Sequence, residues 1–244
     1  MNIAIVGYGR MGKEVEKAAR EHGHTVVACL DISDEISNAT LKNADCCIEF
    51  SVPEAAVRNI ELIASCGRNI VVGTTGWYER IDVVRTLVEQ KKIGLLYSGN
   101  FSVGVNVFFA IVRNAVRLMN TVEGYDAAVR EIHHKNKVDS PSATALAIGK
   151  IILEEFPQKK SILPETSHRT ISPDQLHISS TRTGTFPGTH EVTFDSILDT
   201  IELKHTMKNR SGFAFGAVLA AEWLTGRKGV FTFNDILTFS ESRI

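Results

Sequence analysis

The sequence predicts an α/β protein in two parts: a parallel sheet with crossover helices, then an α+β portion on a mixed or antiparallel sheet. Three observations carry this. Short β-rich runs alternate with longer helical patterns through the first hundred residues, the first run leads directly into a glycine-rich turn, and beyond Ser98 the strands change to polar–apolar alternation. Parallel neighbours need a crossover connection, usually a helix, whereas a strand with one wet face alternates polar with apolar residues.

The first part has predicted strands at 2–6, 25–30, 46–49, 70–72 and 94–98. Helices are predicted between them at 10–21, 53–66 and 78–91. The second of these carries Ala56, Ile60 and Ile63 on one stripe and a proline at its first turn. The link 31–44 is short and polar, so no full helix is expected there. The second part opens with an apolar helix over 104–120, bearing Val107, Phe108, Ile111, Ala115 and Leu118 at helical spacing. A strand at 125–132 and a helix at 141–156 follow, then strands at 176–182, 190–194 and 200–206. A last helix is predicted over 213–224, with Gly226 as its stop.

Composition narrows the function classes. The 244 residues are 43% hydrophobic and 23% charged, ordinary globular usage. Lys and Arg number 27 against 28 Asp and Glu, so the basic excess of a nucleic-acid binder is missing. The longest apolar stretches stop at Arg113 and Glu222, well short of the roughly 20 residues that span a bilayer, and no membrane association is expected. The chain opens on a strand, with no room for a secretory signal, which predicts a cytoplasmic protein. Cys29, Cys46, Cys47 and Cys66 form no Cys-x-x-Cys pair and read as reduced thiols.

Gly7-Tyr8-Gly9-Arg10-Met11-Gly12 lies between the first strand and the first helix, the context of a dinucleotide-binding turn, which makes the first part Rossmann-like. Gly7 permits the turn, Gly9 lets backbone approach a pyrophosphate, and Gly12 lets helix and strand pack closely. Asp31 ends the second strand 19 residues after Gly12, placed to accept hydrogen bonds from adenosine ribose hydroxyls. No basic residue occurs in Ile32-Ser33-Asp34-Glu35, so NADH is expected in preference to NADPH, whose 2′-phosphate the Asp31 charge would oppose. Two more strand ends, Gly73-Thr74-Thr75-Gly76 and Ser98-Gly99-Asn100-Phe101, offer small and polar groups at the carboxyl edge of the sheet for the nicotinamide and its ribose. Ordinary turn chemistry is the alternative for both.

The segment from Glu131 to Ala145 sets His133, His134, Lys135 and Lys137 at a strand end directly before a helix, with Asp139 or Ser140 as cap and Pro141 in the first turn. Lys137, a histidine, the Ser142 and Thr144 hydroxyls and free N–H groups around Ala143 can converge on carboxylates, which suits a small dianion. A solvated turn after an ordinary strand end is the plainer reading. No metal centre is expected, because adjacent histidines point to opposite faces of a strand and no carboxylate completes a recognisable ligand set.

The run E-x-H-H-x-x-K-x-D-x-P-S-x-T-A from Glu131 to Ala145 resembles the 4-hydroxy-tetrahydrodipicolinate (dihydrodipicolinate) reductase family. Residues 7–12, 73–76 and 100–106 add to the likeness, in one order along nearly the whole chain. The resemblance implies His133 as proton donor and acceptor, Lys137 as the catalytic lysine, and His134, Ser142, Ala143 and Thr144 as substrate contacts. It implies cofactor contacts at Gly7, Tyr8, Gly9, Arg10, Met11, Gly12, Asp31, Gly73, Thr74, Thr75, Ser98, Gly99, Asn100 and Phe101, and matches Arg210 to an arginine near the domain hinge. It also implies a nucleotide domain of 1–101 with 211–244, a substrate-binding and oligomerisation domain of 102–210, and a homotetramer. Two departures stand out: the family has glycine where this chain has Ala143, and the 31–44 link is trimmed.

The expected reaction is NAD(P)H-dependent reduction of 4-hydroxy-tetrahydrodipicolinate, a small dicarboxylate, with loss of water. Hydride arrival leaves negative charge that an acid must meet, and Lys137 or His133 is positioned by sequence to supply the proton. Another two-domain nicotinamide oxidoreductase, such as an amino-acid or sugar dehydrogenase, and a non-catalytic NAD(H)-sensing regulator are the alternatives.

Overall fold

The computed structural model describes residues 1–164, 166–209 and 211–238. They form two compact units, Met1–Asn106 with Ser211–Ile244, and Val107–Arg210.

The first unit is built on a six-stranded sheet ordered β11-β5-β4-β3-β1-β2, from β1 (Asn2–Val6), β2 (Thr25–Leu30), β3 (Cys46–Glu49), β4 (Asn69–Val72), β5 (Gly94–Tyr97) and β11 (Gly229–Thr232). Every pairing is parallel. The central strands are buried along their length, as a sheet covered on both faces requires. α1 (Arg10–Glu21) and α6 (Ser211–Trp223) cover one face through Val15, Ala19, Ala214, Ala217 and Val218. α2 (Pro53–Ser65) and α3 (Ile81–Lys91) cover the other through Ile60, Ile63, Val84 and Val88. The chain leaves β1 for β2 on one side and then reaches β3 on the other, so the order reverses at β1. In open α/β sheets such a reversal opens a crevice at the carboxyl ends. As expected, the 31–44 link holds no helix, and Gly226 takes φ +74 after α6.

The second unit holds a five-stranded mixed sheet ordered β10-β9-β6-β8-β7, from β6 (Asp126–His133), β7 (Ser161–Leu163), β8 (Gln175–Arg182), β9 (Thr189–Asp195) and β10 (Thr200–Thr206). β6 pairs parallel with β8 and antiparallel with β9. α4 (Val103–Met119), in which the chain passes from one unit to the other, and α5 (Ala143–Glu155) supply Phe108, Val112, Val116, Ile148 and Ile152 to the core of this unit.

Three short elements were not predicted: β7, β11 and α7 (Phe233–Thr238). None is long enough to show a period of its own. The start of α5 also needs correction. Neither Asp139 nor Ser140 is the cap. Ser142 caps the helix, its Oγ accepting from the Ala145 N–H at 3.2 Å, and Pro141 precedes the helix after a cis bond. Among the described residues no helix is long and apolar enough to cross a membrane.

Candidate active site

The first unit gathers the predicted nucleotide contacts at one sheet edge because the ladder bonds continue past the strand ends. The N–H groups of Gly7, Phe50, Gly73 and Ser98 donate to the carbonyls of Leu30, Val6, Glu49 and Val72. Gly7 turns the chain at φ +89, and a Cβ there would lie 2.3 Å from the Phe50 carbonyl oxygen. A Cβ on Gly12 would lie 2.5 Å from the Gly7 carbonyl oxygen, so both positions demand glycine. Above Gly9 there is open space, and no side chain caps α1, whose N-cap it is. Free N–H groups beside open space at a helix start suit a pyrophosphate.

Other residues of this edge divide into those that hold it together and those that face out. Tyr8 turns its hydroxyl onto Glu16 of α1, while Arg10 is exposed and Met11 half-buried. Thr74 is buried and its hydroxyl accepts from the Ser51 N–H at 2.8 Å, whereas Thr75 is exposed. Ser98 closes a turn on Asn100, and Gly99 is exposed. The Phe101 ring is buried edge-on to Phe50 and Phe233, leaving only its backbone to offer. Asp31 accepts from the Ile32 N–H at 2.9 Å, and its own N–H donates to Asp34 at 2.7 Å, so two exposed carboxylates mark the end of β2. Arg210 lies outside the described residues.

In the second unit, alternation along β6 puts Ala127, Val129, Glu131 and His133 on the core face. The apolar half of that face gives way to a polar half, which β8 and β9 complete. Register sets Glu131 opposite Ser180 and His190, and His133 opposite Arg182. Glu131 is fully buried, and its Oε1 accepts from the Ser142 N–H at 3.0 Å, Ser180 Oγ at 2.8 Å and Arg182 Nη2 at 2.8 Å. Its Oε2 faces His133 Nδ1 at 3.4 Å and His190 Nε2 at 3.7 Å. Burial pushes this carboxyl up, but the donors His133, Ser142, Arg182 and Ser180 outweigh it and hold it well below the usual carboxylate range. Burial, reinforced by the neighbouring His133, brings His190 down to about 4.

The loop after β6 presents the cations. Lys137 Nζ donates to both Asp139 carboxylate oxygens, at 2.7 and 2.9 Å. The Lys137 ammonium, helped by the Ala143 backbone N–H, holds the Asp139 carboxyl below its ordinary value. Arg182 ties this loop to the strand by donating also to the Asp139 carbonyl at 2.7 Å. His134 is half-buried at the turn, and its carbonyl accepts from the Lys137 N–H. Ala143 is the first residue of α5 and does not take a positive φ, so the position does not need glycine on conformational grounds. Thr144 is half-buried beside it.

Sequence reasoning missed Ser180, Arg182 and His190, and the central place of Glu131. Glu131, His133 and His190 bring ligand-type atoms within 4.8 Å of one another, which the local pattern did not suggest. Arg182, on the same carboxylate, already supplies a positive charge that would repel a cation, so we read the cluster as a hydrogen-bonded ion network.

The chain matches family models over both parts: dihydrodipicolinate reductase, N-terminus, at residues 1–101, and dihydrodipicolinate reductase, C-terminus, at 104–237. It is 40% identical over 240 residues to the 4-hydroxy-tetrahydrodipicolinate reductase of Christiangramia forsetii, covering 98% of each chain. It is 35% identical to that of Archaeoglobus fulgidus, covering 97% of this chain and 100% of the other. Its fold is similar to a dipicolinate-bound dihydrodipicolinate reductase from Paenisporosarcina sp. TG-14, with a TM-score of 0.80 at 20% identity over 95% of this chain and 97% of that one. Turn, strand-end cluster and family models agree over both parts, and the chain belongs to the dihydrodipicolinate reductase family.

Proposed function

We infer that the protein reduces 4-hydroxy-tetrahydrodipicolinate with NAD(P)H. The hydroxylated ring, the reduced nucleotide and a proton give tetrahydrodipicolinate, water and the oxidised nucleotide. Beyond family membership, one observation carries the dicarboxylate reading: Lys137, just before the start of α5, already holds a carboxylate, that of Asp139, through both its oxygens. A ligand carboxylate taking that place would gain a charge-assisted hydrogen bond and a helix N-terminus.

The reduced nicotinamide, when bound, supplies the hydride. The chain's residues bind and orient the reactants and handle the proton. Gly7, Gly9 and the uncapped start of α1 take the pyrophosphate, and Asp31 takes the adenosine ribose. Thr75 and the backbone of Gly73, Gly99, Asn100 and Phe101 serve the nicotinamide side. Lys137, Thr144 and the Ala143 N–H hold a ligand carboxylate, with His134 as a further contact. His133 supplies the proton where negative charge gathers. The exposed carboxylates of Asp31 and Asp34 support a preference for NADH. Apolar Ile197, Leu198 and Ile201, exposed at β10 and the turn before it, support assembly into a homotetramer.

The test is a turnover assay on the purified protein. Reduced nicotinamide should be consumed only when the freshly made condensation product of pyruvate and aspartate semialdehyde is present. Unchanged absorbance under those conditions would reject the function.

A further inference from the structure

Glu131 stands behind the proposed proton-transferring histidine, and its two oxygens have different company. Oε1 is filled by Ser142, Ser180 and Arg182. Oε2 is buried and, among the described residues, lacks a close donor; the imidazoles of His133 and His190 face it. A buried carboxylate oxygen without a donor is costly, so one of the two must turn an N–H to it.

His190 is the poorer source. Its Nε2 lies 3.2 Å from the Ser142 hydroxyl but 3.7 Å from Oε2, so its hydrogen bond is to the serine. Whichever of the two donates, that nitrogen is engaged by Ser142 and stands beyond hydrogen-bond distance of Glu131. The remaining donor is His133 Nδ1. At 3.4 Å the contact is loose, as such bonds often are before ligand binds. The opposite nitrogen, Nε2, points at Gly188, where even a Cβ would stand only 2.9 Å away. Glycine there keeps that edge of the ring clear.

We propose that Glu131 is a positioning residue: its Oε2 holds His133 as the Nδ1–H tautomer, making Nε2 the working nitrogen, while its Oε1 fixes the start of α5 that receives the ligand carboxylate. One buried carboxylate thereby aligns the proton donor with the anion-binding helix. In its protonated form His133 carries a hydrogen on both nitrogens; the Nε2 proton passes to the ligand, leaving the neutral Nδ1–H tautomer held on Glu131, and solvent returns a proton to Nε2. This rests on the reading of His133 given above. Among the described residues, the charged and titratable groups around His133 are Glu131 on β6, Arg182 on β8, His190 on β9 with His205 of β10 behind it, and Lys137 in the following turn.

Two-bond nitrogen–proton couplings in protein labelled at its imidazole nitrogens report the tautomer directly, without ligand or turnover. The expected result is Nδ1–H at His133 in the wild type and Nε2–H in Glu131→Gln. That variant keeps an oxygen for Ser142, Ser180 and Arg182 but offers His133 a donor. In the same variant kcat should fall at least about 100-fold, as for a proton-transferring histidine held in the wrong tautomer, with a shifted pH profile. Nε2–H in the wild type, or a fall in kcat below about tenfold, would overturn the proposal. The wild-type spectrum decides the matter even if the variant does not fold. If that spectrum shows Nδ1–H but the wild type never turns over, the function fails and the positioning role of Glu131 does not.

Discussion

Acidifying the protein should unfold it partly through His190. This imidazole is 4% exposed, and burial brings its folded pKa to about 4 from an ordinary 6.5. A histidine harder to protonate in the native state stabilises the fold at neutral pH and loses that contribution as pH falls, from about 6.5 down to about 4. At about 1.4 kcal/mol per pH unit, the whole range amounts to roughly 3 kcal/mol, of which about 2 kcal/mol is gone by about pH 5. Glu131 has the same sign, because its folded value is depressed. Its contribution, however, persists down to the carboxylate range near pH 4.3, so about pH 5 separates the two. Guanidinium unfolding followed by circular dichroism at about pH 7.5 and about pH 5, on wild type and His190→Gln, measures the effect. The wild type should lose about 2 kcal/mol more than the variant over that interval, and any fixed cost of the substitution cancels in the comparison. Equal losses would mean that His190 is not held neutral by burial.

Three further outcomes are expected. Lys137→Ala should lower kcat/KM at least about 100-fold with NADH affinity nearly intact, because the ligand carboxylate loses its charge-assisted partner, and an unchanged kcat/KM would remove Lys137 from its role. Asp31→Ala should narrow the NADH-to-NADPH ratio of KM values by about tenfold, because the carboxylate that opposes a 2′-phosphate is gone; an unmoved ratio would place cofactor choice elsewhere. Gly12→Ala sets a methyl 2.5 Å from the Gly7 carbonyl oxygen and should weaken NADH binding by about tenfold or more in a fluorescence titration, with native affinity refuting the packing argument.

Local periodicity and turn chemistry were enough to read most of the fold. The runs at β1 to β5 are apolar because both faces of their sheet are covered, and Gly7 and Gly12 announce a turn in which a Cβ would collide with backbone. β11 and α7 escaped notice because short elements at a sheet edge follow their neighbours more than their own residues. The anionic-ligand side was half legible. His133, Lys137 and the start of α5 share one stretch of sequence, whereas Ser180, Arg182 and His190 reach Glu131 only through strand register across some 50 residues. Alternation along β6 does put Glu131 and His133 on the core face. A glutamate there has to find buried partners, and that was the signal available for the cluster.

The central claim is that the cations and helix start after β6 take a ring dicarboxylate. A crystal of the protein grown with NADH and pyridine-2,6-dicarboxylate tests it most directly. One carboxylate should displace Asp139 from Lys137 and lie against the backbone N–H of Ala143 or Thr144. Density for the acid elsewhere, with the Lys137–Asp139 pair intact, would contradict the account.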